Sequence, residues 1–196
     1  MAQKKTDKDA VIDAALLLIR TRGYHHTSIA HIAEMCGLLK GSIYHYFPGK
    51  QELAMAALDR VIDDTREKLF APAADESVPA ATRLAALGAA IERYFIGREG
   101  GCLMGSLALE IGWSIPEFMT RIRTYFADWR EALGKLLEPT HGEVRAAELA
   151  EDAAARMQGA IMMMGITKDE AVFRRAVAET VALVPADAND ISTEAA

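Results

Sequence analysis

Residues 27–53 read TSIAHIAEMCGLLKGSIYHYFPGKQEL, and Gly37 divides them in two. Before it, Ile29, Ile32 and Ala33 recur at helical spacing behind Thr27 and Ser28, either of which can cap a short helix with its side-chain oxygen. After it, a second short helix spans roughly residues 41–46 and stops at Pro48, anchored inward by Ile43 and Phe47. A glycine at the junction can adopt the left-handed backbone a tight turn needs, so the stretch has helix-turn-helix geometry. The second helix is too short and polar to be a core element, because Lys40, Ser42, Tyr44, His45 and Tyr46 crowd a turn and a half. Lys40 at its start and Lys50 just beyond can neutralise phosphates, with the backbone N–H groups near Gly41 and Ser42 facing the same anion. Tyr44 and His45 can reach a phosphate, a thymine methyl or a base edge.

The rest of the chain is patterned the same way, with no alternation that suggests a sheet. A first helix runs from about Thr6 to Arg22, presenting Ile12, Ala15, Leu16 and Ile19 and ending at Gly23. A fourth helix runs from Lys50 to about Phe70, and APAADESVPA (71–80) then reads as a surface loop. Leu84, Leu87 and Ile91 mark another helix, and a short apolar one starts at Cys102. Ser114 with Glu117, and Thr167 with Glu170, have the spacing of N-terminal capping boxes for two later helices. The expected fold is therefore all-α, about nine helices. A three-helix DNA-binding domain occupies residues 1–50, an effector-binding and dimerisation domain 51–185, and a disordered tail 186–196.

Charge divides along the same line. Residues 1–50 hold seven Lys/Arg against four Asp/Glu, a net +3, and four of the five histidines; the remainder holds 15 against 24, a net −9. A basic head on an acidic body suits a nucleic-acid binder despite the overall −6. No uncharged apolar run approaches the roughly 18 residues of a membrane span, and MAQKKTDKDA lacks a signal-peptide core, so a cytoplasmic location is expected. Two distant cysteines make neither a disulfide framework nor a C-x-x-C metal site. No cofactor and no metal are expected.

The run G-L-L-K-G-S-I-Y-H-Y-F with the following K-x-x-L resembles the DNA-binding domain of TetR/AcrR transcriptional regulators. The resemblance implies a ligand-responsive repressor bound to double-stranded operator DNA. It implies a homodimer through the last two helices, here residues 143–165 and 168–184, with the recognition helices in successive major grooves of a palindrome. By position, it assigns Thr27, Ser28, Lys40, Gly41, Ser42, Tyr44, His45, Tyr46 and Lys50 to DNA contact.

Cys102 follows two glycines and opens a short helix, where the helix dipole would favour a thiolate; Arg98 lies about a turn before it. The run G-C-L-x-G-S-L-x-x-E resembles a branch of the family in which some members sense electrophiles through a cysteine and others use the segment as pocket wall. Packing as a small hydrophobe is the competing reading for Cys102, and packing accounts for Cys36. Tyr94, Phe95, Met104, Trp113, Phe118, Tyr125, Phe126 and Trp129 concentrate aromatic and flexible apolar side chains mid-chain, as an effector pocket would, with Arg93, Arg98, Glu110 or His141 as its polar handle. Two alternatives stand beside the repressor: a helical enzyme using Cys102 with His141 as base, and a DNA-binding activator without a ligand. No orienting third residue, phosphate loop or carboxylate pair supports catalysis, so no catalytic residue is assigned.

Overall fold

Helix α1 (Asp7–Arg22) buries Val11, Ala15, Leu18 and Ile19 along one stripe and stops at Gly23, whose φ of +86° turns the chain out of the helix. It opens the described part of the protein, residues 7–185 of a computed structural model. Three helices follow: α2 (Ile29–Cys36), α3 (Lys40–Tyr44) and α4 (Lys50–Thr65). The α-helical ladder of α4 stops at Thr65, short of the expected Phe70. One wider π turn, Arg66–Phe70, carries it to the three-residue α5 (Ala71–Ala73). Within the expected loop 71–80, Asp75 Oδ1 accepts from the Ser77 N–H and hydroxyl, fixing a local turn.

The remaining elements are α6 (Ala80–Phe95), α7 (Leu103–Glu110), α8 (Pro116–His141), α9 (Glu143–Thr167) and α10 (Ala171–Val181). Apart from the single turn α5, nine α-helices and no strand occur among the described residues, as the periodicity requires. Helix α8 runs past Pro139 because only its last turn is affected by the missing N–H. At α10 the expected capping box is replaced: Asp169 Oδ1 accepts from the Ala171 N–H, while the Thr167 hydroxyl donates to Met163 O and accepts from the Asp169 N–H. The tail 186–196, expected to be disordered, lies outside the described residues.

The chain packs as two units, each built from two separate stretches of sequence. The first unit combines residues up to Asp64 with Arg98–Tyr125; the second combines Thr65–Gly97 with the chain from Phe126 onward. In the first, Ile32, Ile43, Leu53, Leu58, Met104, Leu107, Phe118 and Tyr125 are nearly or fully buried. In the second, Leu84, Ile91 and Phe95 of α6 are buried with Phe173, Ala176 and Val177 of α10, and the Phe95 and Phe173 rings meet edge-on at 5.8 Å. A Cβ on Gly88 would lie 2.7 Å from Val181 Cγ2, so α6 and α10 approach closely because that position is bare.

Candidate nucleic-acid interface

Ser28 is the N-cap of α2: its backbone is extended and its Oγ accepts from the His31 N–H at 3.2 Å. At the other end Gly37 has φ +67°, and the Gly37 and Leu38 N–H groups donate back to Glu34 O (3.1 Å) and Ala33 O (2.9 Å). These bonds satisfy two carbonyls of the last turn of α2 and turn the chain into α3. Ile43, fully buried, and Phe47 then pin α3 inward, which leaves its other side chains outside. Lys40, Gly41, Tyr44, His45 and Tyr46 are all exposed, and Ser42 is half-buried. Leu39, 80% exposed, sits at the N-cap of α3 beside Lys40. Sequence reasoning passed over Leu39 because GLLK offers two leucines, of which one, Leu38, turns partly inward.

Two of the positions assigned to DNA contact have other work. Thr27 is 1% exposed and its hydroxyl donates to Gly23 O at 2.8 Å, so it ties the α1–α2 loop internally. Lys50 is half-buried, and its ammonium donates to Tyr24 O (2.7 Å) and Thr27 O (2.9 Å) while lying 4.0 Å from the Tyr24 ring centroid. Burial draws the Lys50 pKa below its usual value, opposed by the negative Glu110. Burial, with Glu52 and Glu110 nearby, pushes the Tyr24 phenol up.

Glu110 completes this loop. Its Oε2 accepts from the Tyr24 N–H at 2.8 Å and its Oε1 from the His25 N–H at 2.7 Å. The expectation that Glu110 serves as a handle in an effector pocket is corrected by these two charge-assisted bonds. A signal was present: Glu110 is the one charged residue of α7, LMGSLALE, and an acid ending so apolar a helix needs a partner.

None of the residues expected to wall an effector pocket lines the cleft found within the second unit. Trp113 is 85% exposed, and Arg98 is exposed. Phe118, Tyr125 and Trp129 are packed core, and Tyr94 and Phe126 are half-buried. That cleft, of about 620 Å³, is lined by Arg66, Phe70, Ala73, Arg83, Asp128, Ala132, Lys135 and Pro139 among others. Trp129 touches it only indirectly, packing edge-on against Phe70 at 5.6 Å. Arg66 pairs bidentately with Asp128, and Arg83 donates to Ala73 O at 2.9 Å while its buried Nε has no partner. Cys102, the N-cap of α7, is 8% exposed; Cys36 is half-buried with its Sγ donating to Ala10 O. His141 Nε2 is hydrogen-bonded with Leu183 O. Among the described residues no helix is long and apolar enough to cross a membrane, and no group of three metal-ligating side chains occurs.

Bacterial regulatory proteins of the tetR family match residues 11–57, and the C-terminal domain of LmrA/YxaF-like transcriptional regulators matches residues 84–179. The Bacillus subtilis (strain 168) HTH-type transcriptional regulator YxaF is 28% identical over 87% of this chain and 91% of its own. A TetR transcriptional regulator from Legionella pneumophila superposes with a TM-score of 0.84 at 21% identity, over 94% of this chain and 100% of that one. One from Chloroflexus aurantiacus J-10-FL gives 0.78 at 27%, over 89% and 92%. The chain belongs to the TetR family: it is a DNA-binding helix-turn-helix transcriptional regulator and not an enzyme.

Proposed function

We propose that two copies of this chain, joined through α9 and α10, repress transcription from a palindromic operator in the cytoplasm and are released by a small molecule. The observation that carries the DNA-reading part is the exposed set Lys40, Gly41, Tyr44, His45 and Tyr46 around a buried Ile43. Lys40 supplies a phosphate contact and the Ser42 hydroxyl supports it, whereas the Ser42 N–H, expected to face the same anion, donates to Leu39 O at 2.9 Å. Tyr44 and His45 read base edges, and the bare Leu39 suits a thymine methyl. Ser28 and Thr27 hold this arrangement rather than extend it.

Dimerisation is supported by an exposed stripe on α9. Ala155, Gly159, Met162, Met163 and Ile166 recur at helical spacing, and Met162 and Ile166 are 59% and 66% exposed. The proposed effector seat is the cleft beside Phe70, whose aromatic and alanine lining suits an apolar body and whose Arg83 suits an acceptor group. The π turn that supplies Arg66 and Phe70 continues α4, which begins at Lys50, so occupancy of the cleft has a covalent helical path to the head. A ligand favouring the released state by about 1–3 kcal/mol lowers operator affinity severalfold to a hundredfold, and DNA weakens the ligand equally.

The test is footprinting on the DNA upstream of the chain's own gene with a panel of apolar acids and of electrophiles, on wild type and Cys102→Ser. Release of both proteins by unreactive compounds is expected. Release of wild type alone, and only by electrophiles, would replace the cleft with a thiol switch, and absence of any footprint would overturn operator repression at that site.

A further inference from the structure

We propose that Glu110 is a positioning residue for DNA recognition: with Lys50 it forms a two-jawed latch that holds the loop 23–27, from which α2 and α3 are launched. The loop is gripped from opposite sides of its backbone. On the N–H side, the Glu110 carboxylate takes the successive amides of Tyr24 and His25, the arrangement in which consecutive peptide N–H groups form a concave anion site. On the carbonyl side, the Lys50 ammonium takes Tyr24 O and Thr27 O. The Tyr24 ring is held between that ammonium and the Phe118 ring, 5.5 Å away and edge-on. The Thr27 hydroxyl closes the loop on Gly23 O.

Gly23 is what lets the acid in. Its φ of +86° turns the chain, and a Cβ there would stand 3.1 Å from both Glu110 carboxylate oxygens. The latch joins three elements that are remote in sequence: α7 through its last residue, α4 through its first, and the turn that precedes Ser28, the cap of α2. Both Glu110 oxygens and two of the three Lys50 donors are spent on backbone groups of this loop, and so they fix where the recognition helix starts. With the Glu110 side chain held in its present conformation, withdrawing α7 by about 1 Å would stretch both bonds beyond hydrogen-bonding range, so the two bonds couple α7 to the loop.

The experiment uses the full chain and two duplexes, one selected by the wild type from random sequence and one scrambled. In Glu110→Gln the carboxamide keeps one acceptor but turns an NH2 toward the second amide, donor against donor. Its affinity for the selected duplex is expected to fall about tenfold while that for the scrambled duplex and the salt slope stay as in wild type, because no phosphate contact is removed. Hydrogen exchange at the Tyr24 and His25 amides should accelerate, with Ala33 in α2 still protected. Lys50→Gln should act on the same loop, and the double variant should lose little more than the worse single one. A selected-duplex affinity within twofold of wild type overturns the proposal, as does an equal loss on both duplexes or full additivity of the two substitutions. Should Glu110→Gln fail to fold, Lys50→Gln alone decides by the same ratio of selected to scrambled binding.

Discussion

Lys40 and Lys50 flank the same short helix, and their surroundings separate them. Lys40 is exposed at the start of α3, where a phosphate can approach its ammonium. Lys50 spends two of its three donors on Tyr24 O and Thr27 O. Lys40→Ala is therefore expected to weaken all duplexes alike and to reduce the slope of log K against log salt by about one, read by anisotropy titrations across salt. Lys50→Ala should leave that slope unchanged and cost about 1–3 kcal/mol of stability, seen in urea unfolding. A lowered slope in Lys50→Ala would return that residue to phosphate contact. The exposed residues of α3 were legible from the sequence because Ile43 and Phe47 fix which side faces inward. The engagements of Lys50 and Glu110 were not, since each depends on a backbone group brought close by folding; for Glu110 and Tyr24 the separation is 86 residues, whereas the Thr27 bond is local, to a carbonyl four residues back.

At the scale of elements, periodicity located every α-helix of any length but not the irregular turn that ends α4. Nothing in REKLF distinguishes a π turn from an α turn by spacing, because the same apolar residues, Leu69 and Phe70, serve either. At α2, where Thr27 and Ser28 both stood as candidates, Ser28 takes the cap. Between Thr167 and Glu170 the acceptor Asp169 lies nearer the Ala171 N–H and takes it. The close approach of α6 and α10 rests on Gly88, a contact that no local pattern announces. Gly88→Leu is expected to overpack against Val177 and Val181, lowering stability by about 1–3 kcal/mol and the melting temperature by several degrees. An unchanged melting temperature would mean that the two helices part without cost. Substitution of Gly37 by Ala, at φ +67° with open space around its Cβ, should cost about 1–2 kcal/mol from backbone strain alone, with Asn costing less.

For the whole molecule, the motif and the charge contrast between head and body were legible, whereas the packing units were not: α7 and the start of α8 belong with the head's helices, and only tertiary contact reveals it. The exposed stripe on α9 leads to a prediction at this scale. Ile166→Glu together with Met162→Glu should yield a monomer in sedimentation and lower affinity for a two-half-site duplex by about a hundredfold or more, because the second head no longer binds intramolecularly. A dimer that survives both substitutions would place the interface elsewhere. The central claim, that the exposed side of α3 reads DNA for a two-fold assembly, is tested most directly by selecting bound duplexes from random sequence with wild type and with a Tyr44→Ala, His45→Ala variant. Enrichment by wild type of a two-fold symmetric site, with half-sites about 10 base pairs apart or a multiple of that, and loss of that consensus in the variant, is the predicted result. No enriched sequence, or the same consensus from both proteins, would contradict it.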